Sequence, residues 1–236
     1  MPLVKLLGRQ RPDIADPAAA IAAMAVRVDG TIVTNPRANV RPDASVVVRS
    51  DHAPRGVEKL GRALDRLALA VPGSVGLDVG ASTGGFTRAL LDRGAARVYA
   101  VDVGHGQLLG SLRADPRVVN LERTNVADLD GTLVPEPVDL VVVDVSKLRL
   151  GEAVEQLTER VRLRPDADLV GLVKPMFELR LGELPTEPEQ LTEAGARAAR
   201  AIEGAGWTVR EVIESEVRGS RGAVELFVHA TFGIRA

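Results

Sequence analysis

The 236-residue chain has no cysteine, which excludes disulfides, thiolate nucleophiles, Cys-ligated zinc and iron–sulfur clusters. Aromatics are scarce, at four Phe, one Trp and one Tyr, too few for a row of base-stacking platforms. No apolar run approaches the roughly 20 residues that span a bilayer. The patch in Met1-Pro2-Leu3-Val4-Lys5-Leu6-Leu7-Gly8-Arg9 is shorter than a signal h-region. These lacks predict a soluble, unexported, cytoplasmic protein with no membrane partner. Neither sign of charge dominates, with Lys+Arg 30 against Asp+Glu 32, so a basic clamp over the whole surface is excluded while a local phosphate-binding patch is not. His52, His105 and His229 lie at no metal-ligand spacing, and no metal site is expected.

What is present is one long alternation behind a short leader. The length suffices for one well-buried α/β domain plus a small appendage. Composition shifts at Asp51-His52-Ala53-Pro54, dividing a module over 1–52 from a domain over 53–236. In the module, Asp16-Pro17 caps a short helix over Ala18 to Ala23, and Val26-Arg27-Val28 and Ile32-Val33 form strands around Asp29-Gly30, with Val46-Val47-Val48 as a third. In the domain, Leu60, Leu64 and Leu67 mark an amphipathic helix ended by Pro72-Gly73. Strands are expected at Val75 to Val79, Val98 to Val101, Val118 to Leu121, Leu140 to Val143, Leu169 to Val173, Val209 to Ile213 and Glu225 to Phe232. Helices are expected at Phe86 to Arg93, Gln107 to Ala114, Gly151 to Val161 and Thr192 to Ala205. Trp207 reads as core or edge packing. The fold class is α/β: a Rossmann-like, doubly wound, mostly parallel sheet with an antiparallel last strand and a small N-terminal α+β module.

In such sheets ligands bind beyond the carboxyl ends of the strands, where Asp78-Val79-Gly80-Ala81-Ser82-Thr83-Gly84-Gly85-Phe86-Thr87 lies. The loop is not a P-loop, because Phe86 stands where the phosphate-neutralising lysine belongs. It is not a dinucleotide fingerprint either, because Ser82 occupies the place of the middle glycine. What remains is a tight glycine turn for a ligand without phosphates, followed by Asp102 at the end of the next strand, where a carboxylate suits ribose hydroxyls. A cofactor with adenosine, a carboxylate and an amine but no pyrophosphate is S-adenosylmethionine; a plain strand-to-helix turn is the alternative. Ser82 and Thr83 would meet its methionine part or cap the following helix, and Asn125 and Asp128 would contact adenine or cap the next one.

The segments Asp78 to Thr87, Val101-Asp102-Val103-Gly104-His105-Gly106-Gln107-Leu108 and Leu121-Glu122-Arg123-Thr124-Asn125-Val126 resemble the FtsJ-type methyltransferases of the haemolysin-A-like (TlyA) family, over nearly the whole chain. The resemblance implies a ribosomal-protein-like RNA-binding module fused to a methyltransferase domain, and 2′-O-methylation of ribosomal RNA. It implies cofactor contacts from Asp78, Gly80, Ala81, Ser82, Thr83, Gly84, Gly85, Phe86, Asp102, Val103, Asn125 and Asp128. It also implies a Lys-Asp-Lys-Glu tetrad, carried here by Lys59, Asp144, Lys174 and Glu225. Asp144 and Lys174 each end an apolar strand, so both should project into the crevice of the glycine loop. Transfer of a methyl group to a hydroxyl requires the acceptor oxygen to be positioned and its proton removed. Lys174 is the candidate base, although its neutral form at pH 7.4 costs about 4 kcal/mol at the reference value. The lysines would otherwise stabilise the developing alkoxide while the carboxylates orient them. A purely structural ion-pair network is the bland alternative.

Departures from the family pattern lie on the acceptor side. Ser146-Lys147-Leu148-Arg149-Leu150 places two cations where an apolar run is usual, Met176 stands for a glutamine, and Gly222-Ala223-Val224 lacks an asparagine. The module's Ala-rich helix lacks the basic residues of an RNA-binding domain, while Arg27, Arg37, Arg41, Arg49 and Arg55 remain on strands and loops, either as a reduced phosphate grip or as a merely solvated face. The leading expectation is a ribose 2′-O-methyltransferase acting on structured RNA or a ribosomal subunit. A methyltransferase of a small hydroxylated metabolite is the second, and a non-catalytic RNA- or cofactor-binding module the third. Sequence leaves the oligomeric state open.

Overall fold

A computed structural model describes residues 1–12, 14, 16–22, 25–48, 55–185 and 187–233. The expected boundary at 52–53, with His52 and Arg49, lies outside the described residues. Two compact units are resolved, Met1–Ala53 with Leu109–Ala114, and Pro54–Leu108 with Asp115–Ala236.

The first unit contains α1 (Leu3–Gln10), α2 (Pro17–Ala22), β1 (Val26–Val28), β2 (Thr31–Ile32) and β3 (Val46–Val48), with the strands in the antiparallel order β2-β1-β3. The β1–β2 hairpin turns on Asp29 (φ 48°) and Gly30 (φ 83°), both left-handed as a two-residue turn of matching twist requires. The N-terminal apolar patch is a helix, α1, which the sequence pattern alone does not predict. Leu3, Leu6 and Leu7 fall on one helical face and are fully buried with Ile21 and Val26. The short helix α5 (Gly110–Arg113) replaces the longer one expected over 107–114.

The second unit runs α3 (Arg55–Arg66), β4 (Val75–Val79), α4 (Gly85–Asp92), β5 (Arg97–Asp102), β6 (Val118–Glu122), β7 (Val138–Val143), α6 (Leu150–Arg160), β8 (Leu163–Val173), α7 (Pro175–Glu178), α8 (Pro188–Gly204), β9 (Trp207–Glu214) and β10 (Leu226–Phe232). Its seven strands take the order β6-β5-β4-β7-β8-β10-β9. The first five are parallel, and β10 runs antiparallel to both β8 and β9. Leu77, Val79, Val141, Val143 and Leu169 pack with α6 and α8 on one face of the sheet. On the other, Leu90 of α4 lies over Gly76, where a Cβ would come 3.0 Å from it. Strand β8 begins six residues earlier than its apolar run, because Pro165 and Asp166 (φ 65°) are accommodated where the β7–β8 register shifts between Val138 and Leu140. Trp207 is buried, donates Nε1–H to Thr158 Oγ1 at 2.8 Å and packs on Phe232. The register aligns the strand ends: Val79 faces Val143, Val143 faces Gly171, and Val173 faces Leu226. Residues 80, 144, 174 and 225 therefore leave the sheet along one edge.

Helix packing is tight enough to give one substitution opposite signs at two sites. A Cβ on Gly151 of α6 would sit 2.3 Å from the Ala201 Cβ of α8, whereas a Cβ on Gly204 meets nothing within 4 Å. Gly151→Ala should destabilise by about 1–3 kcal/mol through overpacking. Gly204→Ala should leave stability unchanged or raise it by up to about 1 kcal/mol through helix propensity. Urea-unfolding midpoints of the two variants check the contrast.

Candidate active site

The glycine loop is shaped by backbone conformation. Gly80 (φ 88°), Ser82 (φ 48°) and Gly84 (φ 92°) are all left-handed, and the N–H groups of Gly80 and Ala81 both donate to the Val101 carbonyl at 2.9 and 3.0 Å. At Gly80 no side chain fits, since a Cβ would lie 2.3 Å from the Asp144 carbonyl oxygen. Beneath the loop, Asp78 is fully buried and accepts a 2.6 Å bond from Thr87 Oγ1. Burial pushes its carboxyl up to about 7, against the lowering hydrogen bonds from the Thr87 hydroxyl and N–H.

Asp102, at the end of β5, accepts from the Ser82 N–H at 2.8 Å and from the Gly104 N–H at 2.6 Å. It braces the loop, and a carboxylate with two bonds made still has acceptor positions for ribose hydroxyls. Its neighbour Val103 is an open apolar surface, 57% exposed. Sequence reading did not assign Glu122, which ends β6 and accepts from the N–H groups of Gln107 (2.6 Å) and Leu108 (3.1 Å). Burial raises its carboxyl, but those bonds and the one from Asn120 outweigh it and hold it at about 2. An acidic residue closing a parallel strand was the available signal, as at Asp102. The Ser82 hydroxyl meets Gln107 Oε1 at 3.2 Å. Phe86 buries its ring against Phe227, 6.2 Å between centroids, so only its backbone is left for a ligand. Asn125 Oδ1 caps the single turn Val126–Asp128 through the Ala127 N–H, and Asp128 is exposed. Ala81 is buried, and Thr83 and Gly85 lie in the same turn at the start of α4.

The four tetrad residues pair two by two. Lys59 of α3 and Glu225, just before β10, are both buried and form an ion pair across 166 positions of sequence. Lys174 Nζ lies 2.5 Å from Asp144 Oδ1 and 2.8 Å from Ser146 Oγ. Lys174, Ser146 and Glu225 share a cavity of about 780 Å³, further walled by Met176, Phe177 and Val224. Of the cationic run after Asp144 only Ser146 lines it; Lys147 is exposed, and the Arg149 N–H bonds Glu152 at the start of α6. His229 Nε2 pairs with Asp168 Oδ1 at 2.7 Å on the β8–β10 ladder, and His105 is exposed.

Two consequences can be measured. Asp78 binds its proton more tightly folded than unfolded, so its contribution to stability is complete below about pH 4 and is lost as pH rises through about 7. Asp78→Asn should cancel that loss, leaving the wild type less stable relative to the variant at pH 7.5 than at pH 4; parallel urea-midpoint profiles would contradict it. Lys59→Met alone should cost about 3–5 kcal/mol by leaving Glu225 buried without its partner, and Lys59→Met/Glu225→Leu should recover most of it, as chemical denaturation of the single and double variants will show.

The FtsJ-like methyltransferase family model matches residues 53–232. A 16S/23S rRNA (cytidine-2′-O)-methyltransferase, TlyA, from Mycobacterium tuberculosis is 41% identical over 231 residues, covering 94% of this chain and 84% of its own. Hemolysin A from Brachyspira hyodysenteriae is 36% identical over 167 residues, 70% of this chain and 69% of its own. A solved structure of a candidate hemolysin from Streptococcus thermophilus superposes with a TM-score of 0.72 at 26% identity, covering 98% of this chain and 88% of that one. The chain belongs to the FtsJ-like methyltransferase family.

Proposed function

We propose that the protein transfers a methyl group from S-adenosylmethionine to a ribose 2′-hydroxyl of ribosomal RNA. The observation that carries this reading is the pairing of Lys174 with Asp144 and of Lys59 with Glu225 at the sheet edge that also holds the glycine loop. The name of the M. tuberculosis relative supplies the substrate class.

The residues present fit the cofactor. Gly80 clears the crevice floor of side chains, the left-handed loop offers backbone rather than cations, Asp102 keeps acceptor capacity for ribose, and Val103 gives an apolar face for a purine. S-adenosylmethionine, when bound, supplies an electrophilic methyl group on a sulfonium. The chain supplies the rest. Lys174 Nζ, as the ammonium paired with Asp144, steadies the growing charge on the acceptor oxygen, and only as the neutral amine would it receive that oxygen's proton; Asp144 and Ser146 fix where it points. Glu225 occupies Lys59 and at the same time walls the cavity.

The first unit would grip the RNA backbone. Exposed Arg27, Arg37 and Arg41 are joined by Lys5 and Arg9 of α1, which restore the helical basic face that α2 lacks. Of these, Arg41 already pairs with Asp29 at 3.1 Å.

The test is label transfer from radioactive S-adenosylmethionine to ribosomal subunits, extracted RNA and a metabolite extract. Label should appear in RNA as a 2′-O-methylated nucleotide, and Lys174→Ala should lower the rate by at least about a hundredfold, in the range typical for removing a proton-transfer group. Label confined to small molecules would replace RNA by a metabolite acceptor. Undiminished transfer by Lys174→Ala would remove the tetrad from the chemistry.

A further inference from the structure

The cavity at the tetrad is larger than the reacting groups need. A volume of about 780 Å³ is that of a site for a whole small ligand, not for one ribose hydroxyl. Beyond Lys174, Ser146 and Glu225, its walls are mostly apolar: Met176, Phe177, Leu184, Pro185, Ala223 and Val224. Phe177 stands out among them. The rings of Phe86, Tyr99, Trp207 and Phe227 are buried, whereas Phe177 is 41% exposed. It is held firmly all the same. Pro175 opens the single-turn helix α7, the N–H groups of Phe177 and Glu178 both return to the Lys174 carbonyl at 2.9 Å, and Glu178 is buried. The backbone that carries the ring is thus fixed three residues from the lysine.

Across the cavity, the turn before β10 has a comparable design. The Gly219 N–H bonds the Ala223 carbonyl at 2.8 Å, and a Cβ on Gly219 would lie 2.4 Å from Glu225 Oε1, so the turn sits directly on the tetrad carboxylate. Its middle residue, Arg221, is held left-handed at φ 57°, an unfavourable backbone for a side chain of that size. Arg218, in the same turn, pairs with Glu214 at 3.3 Å, whereas among the described residues Arg221 has no carboxylate partner. Arg221 lines the cavity.

The geometry points to a subsite for the acceptor nucleotide, in which the Phe177 ring carries the base of the residue being methylated and the Arg221 guanidinium holds an adjoining phosphate. An open aromatic face on an apolar wall suits a base of any identity, and a guanidinium fork suits phosphate oxygens. The ribose between them would then lie at Lys174. The inference rests on the RNA reading given above and adds to it the residues that orient the acceptor.

Steady-state methyl transfer from labelled S-adenosylmethionine to hypomethylated ribosomal subunits, over a series of salt concentrations, tests it on the full chain. Phe177→Ala and Phe177→Leu should each lower kcat/KM for the subunit by about ten- to a hundredfold, the Leu variant because bulk without a ring face does not stack, while Phe177→Tyr stays near wild type. Calorimetric affinity for S-adenosylmethionine should be unchanged in all three. Arg221→Ala should reduce the slope of log(kcat/KM) against log salt by about one phosphate contact, roughly 0.7–0.9, and Phe177→Ala should leave that slope alone. The subsite is overturned if Phe177→Leu works as well as the wild type, if Phe177→Ala loses cofactor affinity in proportion to activity, or if Arg221→Ala keeps the full slope. A wild type that labels no RNA overturns the RNA reading and this inference with it, so the two failures are told apart by the wild-type arm.

Discussion

At Gly80 the turn leaving β4 passes so close to the end of β7 that a methyl group on its Cα would strike the Asp144 carbonyl. That contact ties together two functions that are separate in sequence. The loop that would cradle a cofactor and the strand end that carries the first tetrad carboxylate form one continuous surface, further fixed by the Asp144 N–H bonding the Val79 carbonyl at 2.9 Å. The strand order reverses between β5-β4 and β4-β7, so this surface lies at the switch point where open α/β sheets leave a crevice. Everything else in the site is placed from there: β8 continues the register to bring Lys174 alongside Asp144, and antiparallel β10 starts where β8 ends, so that Glu225 enters from the opposite chain direction.

Two lysines and two carboxylates so close together would be costly without pairing. Each lysine has its own partner here, one pair nearly dry and the other open to the cavity. A buried pair gains little net stability over apolar packing, but removing either member strands the other, which makes such a pair a strong positional constraint. Lys59 is thereby locked on α3 against the start of β10, and the close Gly56–Gly85 approach fixes α3 against α4. The pair Lys174 with Asp144 is the more exposed of the two, and Lys174 lines the cavity.

The parallel core was readable because buried strands appear as unbroken apolar runs, such as Val141-Val142-Val143, and because Asp144 and Lys174 each follow such a run directly. Helix α1 was not read, since two turns interrupted by Lys5 and Gly8 carry too little periodicity to separate from a bare apolar patch. The start of β8 was hidden by Pro165-Asp166, which tertiary pairing tolerates and local propensity does not. The tetrad as a set came from family resemblance; the pairing of Lys59 with Glu225 is a contact across 166 positions that no local pattern encodes. Likewise, nothing in Arg218-Gly219-Ser220-Arg221-Gly222 announces that Gly219 is required by the carboxylate six residues later, or that Phe177 stays open on a cavity wall.

The close approach of Gly80 to Asp144 joins the glycine-loop crevice to the tetrad. A crystal structure of the protein with S-adenosylhomocysteine tests it most directly. The ligand should lie along Gly80 to Gly85, with its ribose on Asp102, its purine on Val103 and its sulfur facing the cavity shared by Lys174 and Glu225. A ligand bound elsewhere, or one whose sulfur faces away from that cavity, would contradict it.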